Sequence, residues 1–109
     1  MRLFNVLMAL IERIAAGDQF LQVGPILIQW GFVQISTTPS GSNKYGAQYV
    51  TFQKSFSDAP AIAPSCDIFG GYESSIGISS LTATGFNLSI LHNSPVNAVN
   101  MRWIAIGKA

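Results

Sequence analysis

Charge is the scarcest property of this sequence. Only 10% of its 109 residues are Asp, Glu, Lys or Arg, and six basic against five acidic residues leave a net charge of +1. A typical globular domain carries about 25% charged residues. The few charges are scattered without a basic stripe, which excludes nucleic acid as a partner, because such binding displaces counterions with clustered Lys and Arg. Cysteine is almost absent. Cys66 is alone, so there is no internal disulfide and no cysteine metal cluster, and it reads as a buried, inert thiol. Histidine is equally rare. His92 is the single one and reads as a surface-loop residue; a histidine metal site would need three copies around a symmetry axis, so no metal or other cofactor is expected.

Catalytic inventories fail in the same way. Glu12, Asp18, Asp58, Asp67 and Glu73 lie on different elements, and no pair has the spacing of a glycosidase. A triad drawn from His92 and Asp67 lacks a nucleophile-elbow motif. The glycines form neither a phosphate loop nor a dinucleotide fingerprint. The expectation is a protein without enzymatic activity. Long apolar runs are missing too. The stretch Leu3–Ile11 is broken by Glu12 and Arg13, too short and too charged to span a membrane and without the form of a targeting segment.

What the sequence does have is apolar surface. Hydrophobic residues make up 49% and mean hydropathy is positive. A small chain with so few charges exposes apolar surface unless subunits cover it, which points to an obligate oligomer. Residues 1–17 have helical periodicity. Leu3, Leu7, Leu10 and Ile14 follow a coiled-coil seam, Val6 and Ala9 widen it, and Gly17 stands where a helix would stop. Such a wide seam fits three helices, in a stem continuing a longer fibre upstream.

From Asp18 to Ala109 the texture changes. Short β-rich runs at about 26–33, 48–54, 61–68, 76–81, 86–91 and 101–106 alternate with Gly, Pro, Ser and Asn. That spacing predicts an all-β fold, an antiparallel six-stranded β-sandwich over residues 18–109 with the short N-terminal α-helical stem over 1–17. Phe86, Leu88 and Ile90 alternate cleanly, whereas Met101, Trp103 and Ala105 face one way and Ile104 and Ile106 the other. A strand apolar on both faces is covered twice, once by the core and once by a neighbour.

The expected loops hold the candidate binding groups: Asn43 and Tyr45 in the long segment 37–46, Tyr72 and Glu73 after Gly70-Gly71, and His92 and Asn93 in the segment 92–97. Exposed aromatic faces pack on the C–H faces of sugar rings, while amides and carboxylates take their hydroxyls. Trp30 and Trp103, each in an apolar strand, read instead as packing residues.

The order of motifs supports a family resemblance. Ile28-Gln29-Trp30-Gly31 is followed by Val50-Thr51-Phe52-Gln53-Lys54-Ser55-Phe56, then Ala59-Pro60, Thr84-Gly85-Phe86 and a closing Arg102-Trp103-Ile104-Ala105-Ile106-Gly107. Over residues 26–107 this resembles the C-terminal receptor-binding domain of phage and prophage tail fibres, and the layout is similar to that of H-type lectins. The resemblance implies a homotrimer at the distal end of a virion fibre, joined to the rest of the fibre upstream. It implies a partner on the bacterial surface, a lipopolysaccharide or other glycan or an outer-membrane protein, without membrane insertion. Trp30, Phe52, Pro60, Phe86 and Trp103 look like fold-defining positions. A free-standing H-type-like carbohydrate-binding lectin, or a structural trimerisation cap of a fibre, would share the same scaffold.

Overall fold

A computed structural model describes residues 2–6, 19–68 and 70–109. Residues 2–6 are helical, with Leu3, Phe4 and Val6 facing solvent; the rest of the expected stem lies outside the described residues.

The strands are β1 (Phe20–Val23), β2 (Ile26–Ser36), β3 (Thr38–Ser40), β4 (Asn43–Thr51), β5 (Ala61–Cys66), β6 (Ser74–Ser79), β7 (Gly85–His92) and β8 (Ala98–Lys108). They form two antiparallel sheets of four strands, sheet I in the order β1-β2-β8-β5 and sheet II in the order β3-β4-β7-β6. The sandwich is as expected, but it has eight strands and not six. The six expected strands correspond to β2, β4, β5, β6, β7 and β8. Both additional strands hang from two-residue turns opened by glycine. Gly24-Pro25 joins Val23 to Ile26 and Gly41-Ser42 joins Ser40 to Asn43, with φ of 58° and 65° at the glycines. Glycine at positive φ in the first turn position is what a type II′ hairpin requires. The segment 37–46 is therefore largely strand. Thr37 is the corner where the chain leaves sheet I for sheet II, its N–H donating to the Asn97 carbonyl at 2.8 Å.

Alternation decides which side chains enter the core. Sheet I sends in Leu27, Ile35, Val99, Met101, Trp103 and Ala105, and sheet II sends in Phe86, Leu88 and Ile90. After β4 the chain leaves the sheet and lays Phe52 and Phe56 across one end of this core, through backbone bonds from their N–H groups to the Thr84 and Ala83 carbonyls, both 2.9 Å. The two phenylalanines meet edge to face at 5.0 Å, and Trp103 meets Phe86 in the same way at 5.5 Å. Such pairs contribute about 0.5–1.5 kcal/mol beyond the area they bury.

The Ile-Gln-Trp-Gly motif acquires a physical meaning here. Gln29 points inward, fully buried, and grips the departing segment. Its Nε2 donates to the Lys54 carbonyl at 2.6 Å, and its Oε1 accepts the Lys54 N–H at 3.0 Å. Gly31 lies opposite Trp103 in the ladder, and a Cβ there would stand 2.6 Å from the indole ring. Trp103 is a core residue, whereas Trp30 is half-buried on the outer side of sheet I beside Ile104. Cys66 is half-buried and packed against the core.

Candidate functional site

The two outer faces of the sandwich differ in chemistry. The outer face of sheet I is apolar where a solvent face should be polar. Val23, Ile26, Phe32, Ile104 and Ile106 are all exposed on it, Phe32 to 56%. Cross-strand neighbours Ile28 and Ile106, and Trp30 and Ile104, make the patch continuous. Beside it Trp30, Ala63, Arg102 and Ile104 line a hollow of about 290 Å³. Arg102 closes one end, its guanidinium 5.4 Å from the centre of the Phe32 ring and 2.6 Å from the Asp67 carboxylate. Arg102 is exposed and Asp67 is partly so, which leaves the pair screened by water and its contribution under about 1 kcal/mol.

The outer face of sheet II is polar and uncharged. Its four strands hold one lysine and one histidine, Lys44 and His92, which pair with each other in the register that faces inward. Lys44 turns away to the 95–97 segment, where its Nζ donates to the Pro95 carbonyl (2.8 Å), the Val96 carbonyl (3.2 Å) and Asn97 Oδ1 (2.8 Å). His92 is only 1% exposed. It closes β7 and is not a surface-loop residue. Its Nδ1 accepts the Ser94 N–H at 3.2 Å and lies 2.9 Å from Ser94 Oγ, while Nε2 lies 3.1 Å from Thr37 Oγ1. An Nδ1 that accepts an amide N–H places the ring proton on Nε2, donating to Thr37. Burial, and secondarily the positive charge of Lys44, hold the imidazole below its ordinary pKa.

At one end of this face, Asn43, Glu73, Ser74, Ser75, Leu91 and His92 line a shallow cleft of about 140 Å³. It brings together three of the six residues expected to bind: Asn43, Glu73 and His92. Asn93 acts from behind. Its Oδ1 accepts the Glu73 N–H at 2.9 Å and its own N–H donates to the Glu73 carbonyl at 3.3 Å, which holds the acidic turn against the end of β7. Tyr45 is a strand residue and not a loop residue. It is 45% exposed on the outer face, opposite Leu91. Tyr72 is exposed next to Glu73 but does not line the cleft. Sequence reasoning missed Ser74, Ser75 and Leu91 of the cleft, and Tyr49, which is 49% exposed on the same face as Tyr45. The signal for Tyr49 was present, since residues four apart on a strand share a face.

The family model for gp53-like tail fiber protein C-terminal regions matches residues 21–108. The chain belongs to this family. The match takes in β1 from Leu21 onward and the rest of the sandwich, and it places this tail fibre domain in the distal tail of a virion. A search of curated proteins finds no match. Solved structures share the fold. An N-truncated R1-type pyocin tail fiber is 17% identical with a TM-score of 0.58, over 88% of this chain and 93% of that one. Discoidin II of Dictyostelium discoideum is 17% identical with a TM-score of 0.61, over 82% of this chain and 41% of that one. The Gp54 tailspike of Acinetobacter baumannii bacteriophage AP22, solved with A. baumannii capsular saccharide, is 16% identical with a TM-score of 0.58, over 74% of this chain and 17% of that one. The tail fibre domain thus spans under half of the discoidin and under a fifth of the tailspike.

Proposed function

We propose that this tail fibre domain is a non-enzymatic receptor-binding tip, which recognises a bacterial surface glycan such as lipopolysaccharide, or an outer-membrane protein, during host adsorption. The observation that carries this is the cleft on sheet II, where Asn43, Glu73 and His92 converge beside two exposed tyrosines. Function sits in sites grafted on a fold, and this cleft supplies an amide, a carboxylate and hydroxyls at the edge of an aromatic surface. Glu73 is the one carboxylate among its described residues, and hydrolysis of glycosidic bonds ordinarily needs two. The tailspike solved with a capsular saccharide supports a glycan reading by fold alone.

The domain acts as a homotrimer in which the apolar outer face of sheet I is turned toward the neighbouring copies, leaving sheet II free. Three equivalent weak sites on one tip then bind by avidity. The same apolar face favours a second role, in which the domain also registers the trimer as a structural cap. Adsorption of fluorescently labelled protein to bacterial strains with defined surface truncations tests the receptor reading. Strain-restricted binding that disappears with one surface component is expected, and absence of binding across a broad panel refutes it. Sedimentation that finds a stable monomer at micromolar concentration refutes the trimer.

A further inference from the structure

We infer that the outer face of sheet II is a platform for an uncharged, extended polysaccharide chain laid along β4 from Tyr49 past Tyr45 into the cleft at Asn43; this rests on the receptor-binding reading and narrows it to one ligand class. The strand register sets out the platform in rows. The row Ala47–Ser89–Gly77 crosses three strands with small side chains only. It is bounded on one side by the row Tyr45–Leu91 and on the other by the row Tyr49–Asn87. The two tyrosines stand four positions apart on the strand, about 13 Å, longer than a single pyranose ring. The result is a low floor between two aromatic groups.

Tyr49 is held ready. Its hydroxyl and Cε1 lie 2.7 and 3.0 Å from where a Cβ on Gly85 would stand. The ring leans over a position that only glycine leaves open, which is a recognised use of glycine within a strand. A ring ordered before binding costs little entropy to use. Its exposed surface is what a sugar's C–H face stacks on.

Charge selects the ligand. Tyrosine hydroxyls aside, the outward register of these four strands has no ionisable group, and Lys44 is tied to the 95–97 segment by three acceptors. His92 is buried in its neutral form. Among the described residues Glu73 is the charge that lines the cleft, while the Lys44 ammonium is held at the inward register by three neutral acceptors. An acidic capsule or a phosphorylated core would meet no cation in the outward register and one repelling carboxylate in the cleft. A neutral hydroxyl-rich chain meets stacking surfaces, amides and serines throughout.

The test uses the whole chain, labelled, on strains to which it adsorbs. Periodate treatment of the cells should abolish adsorption and proteinase treatment should spare it. Raising NaCl to about 0.5 M should change it by less than about twofold, since ion pairs are screened at that strength and stacking is not. Tyr49→Ala should lower adsorption about tenfold, with Tyr49→Phe retaining it. Ala47→Arg, which touches no core residue, should block the floor in a fully folded protein. In native gels cast with purified polysaccharides, neutral polymers from adsorbing strains should retard the protein and uronic-acid polymers should not. Protease-sensitive adsorption, retardation by acidic polymers alone, or Ala47→Arg binding like the wild type would overturn the inference and leave a receptor-binding tip with another ligand. If the wild type adsorbs to no strain, the receptor reading itself fails.

Discussion

Replacing Gln29 by methionine isolates the clamp between β2 and the segment that carries Phe52 and Phe56. Methionine nearly matches glutamine in volume, so the perturbation is chemical: the Lys54 carbonyl loses the donor now 2.6 Å away, and the Lys54 N–H loses its acceptor at 3.0 Å. Lys54 is exposed as a residue, but the clamp itself is partly buried. A buried polar group left without a partner costs about 1–3 kcal/mol. With water reaching the Lys54 peptide groups in part, the two losses together should cost about 2–4 kcal/mol by the same scale. That is a large fraction of the 5–15 kcal/mol typical of a whole domain, and at about 4 °C per kcal/mol it lowers Tm by about 8–16 °C. Urea unfolding followed by tryptophan fluorescence, at matched protomer concentration, measures it, because Trp103 packs 5.7 Å from Phe52. The unfolding slope m should stay unchanged while the midpoint falls. A loss below about 0.5 kcal/mol, within the range of ordinary surface substitutions, would refute the view that this side chain secures the aromatic end of the core.

Three further outcomes follow from the same geometry. Gly31→Ala puts a Cβ 2.6 Å from the Trp103 indole, so it should destabilise by about 1–3 kcal/mol as overpacking does, with an altered near-ultraviolet circular dichroism signal from the displaced ring. His92, whose folded pKa is depressed by burial and then by Lys44, binds its proton more readily in the unfolded chain; its contribution to stability is therefore complete above the unfolded value of about 6.5 and is lost as pH falls through the lower folded value. Urea midpoints at pH 7.5 and pH 5 check this, and in His92→Gln the difference between them should shrink. Ile106→Glu, on the exposed face of sheet I, should leave the protomer folded by circular dichroism while sedimentation shows a shift to monomer; an unchanged assembly would mean that copies meet elsewhere.

Much of this was legible in the sequence, and the rest was hidden for identifiable reasons. Phe86, Leu88 and Ile90 announced β7 because all three enter the core at period two. Ile104 and Ile106 announced an apolar outer face because they alternate with Trp103 and Ala105. β1 was missed because Phe20–Val23, though apolar at three of four positions, is too short a run to show a period, and β3 because Thr38–Ser40 has no apolar signal and holds Pro39 at a sheet edge where proline is tolerated. Tyr45 passed for a loop residue because Lys44 and Gly46 mask the strand alternation around it. His92 was misread because His-Asn-Ser-Pro has the composition of a turn. Its burial depends on Thr37, 55 residues earlier in the chain. The clamp by Gln29 is equally non-local, and no periodicity in residues 28–31 encodes a partner at Lys54.

The place of β8 has a consequence for synthesis. It is the last of the eight strands in chain order, yet it lies between β2 and β5 and supplies the pairing partner of both. While a ribosome still holds residues 98–108, sheet I consists of the β1–β2 hairpin and an unpaired β5, and the core lacks Met101, Trp103 and Ala105. Sheet II can pair fully by then, but its inner face has only half its cover. Pairing over so long a separation is slow, and a half-built sandwich with open strand edges is prone to stick. The apolar outer face is therefore completed only when β8 sets Ile104 and Ile106 beside Trp30 and Ile28, so a chain halted before β8 carries that surface on the β1–β2 hairpin alone.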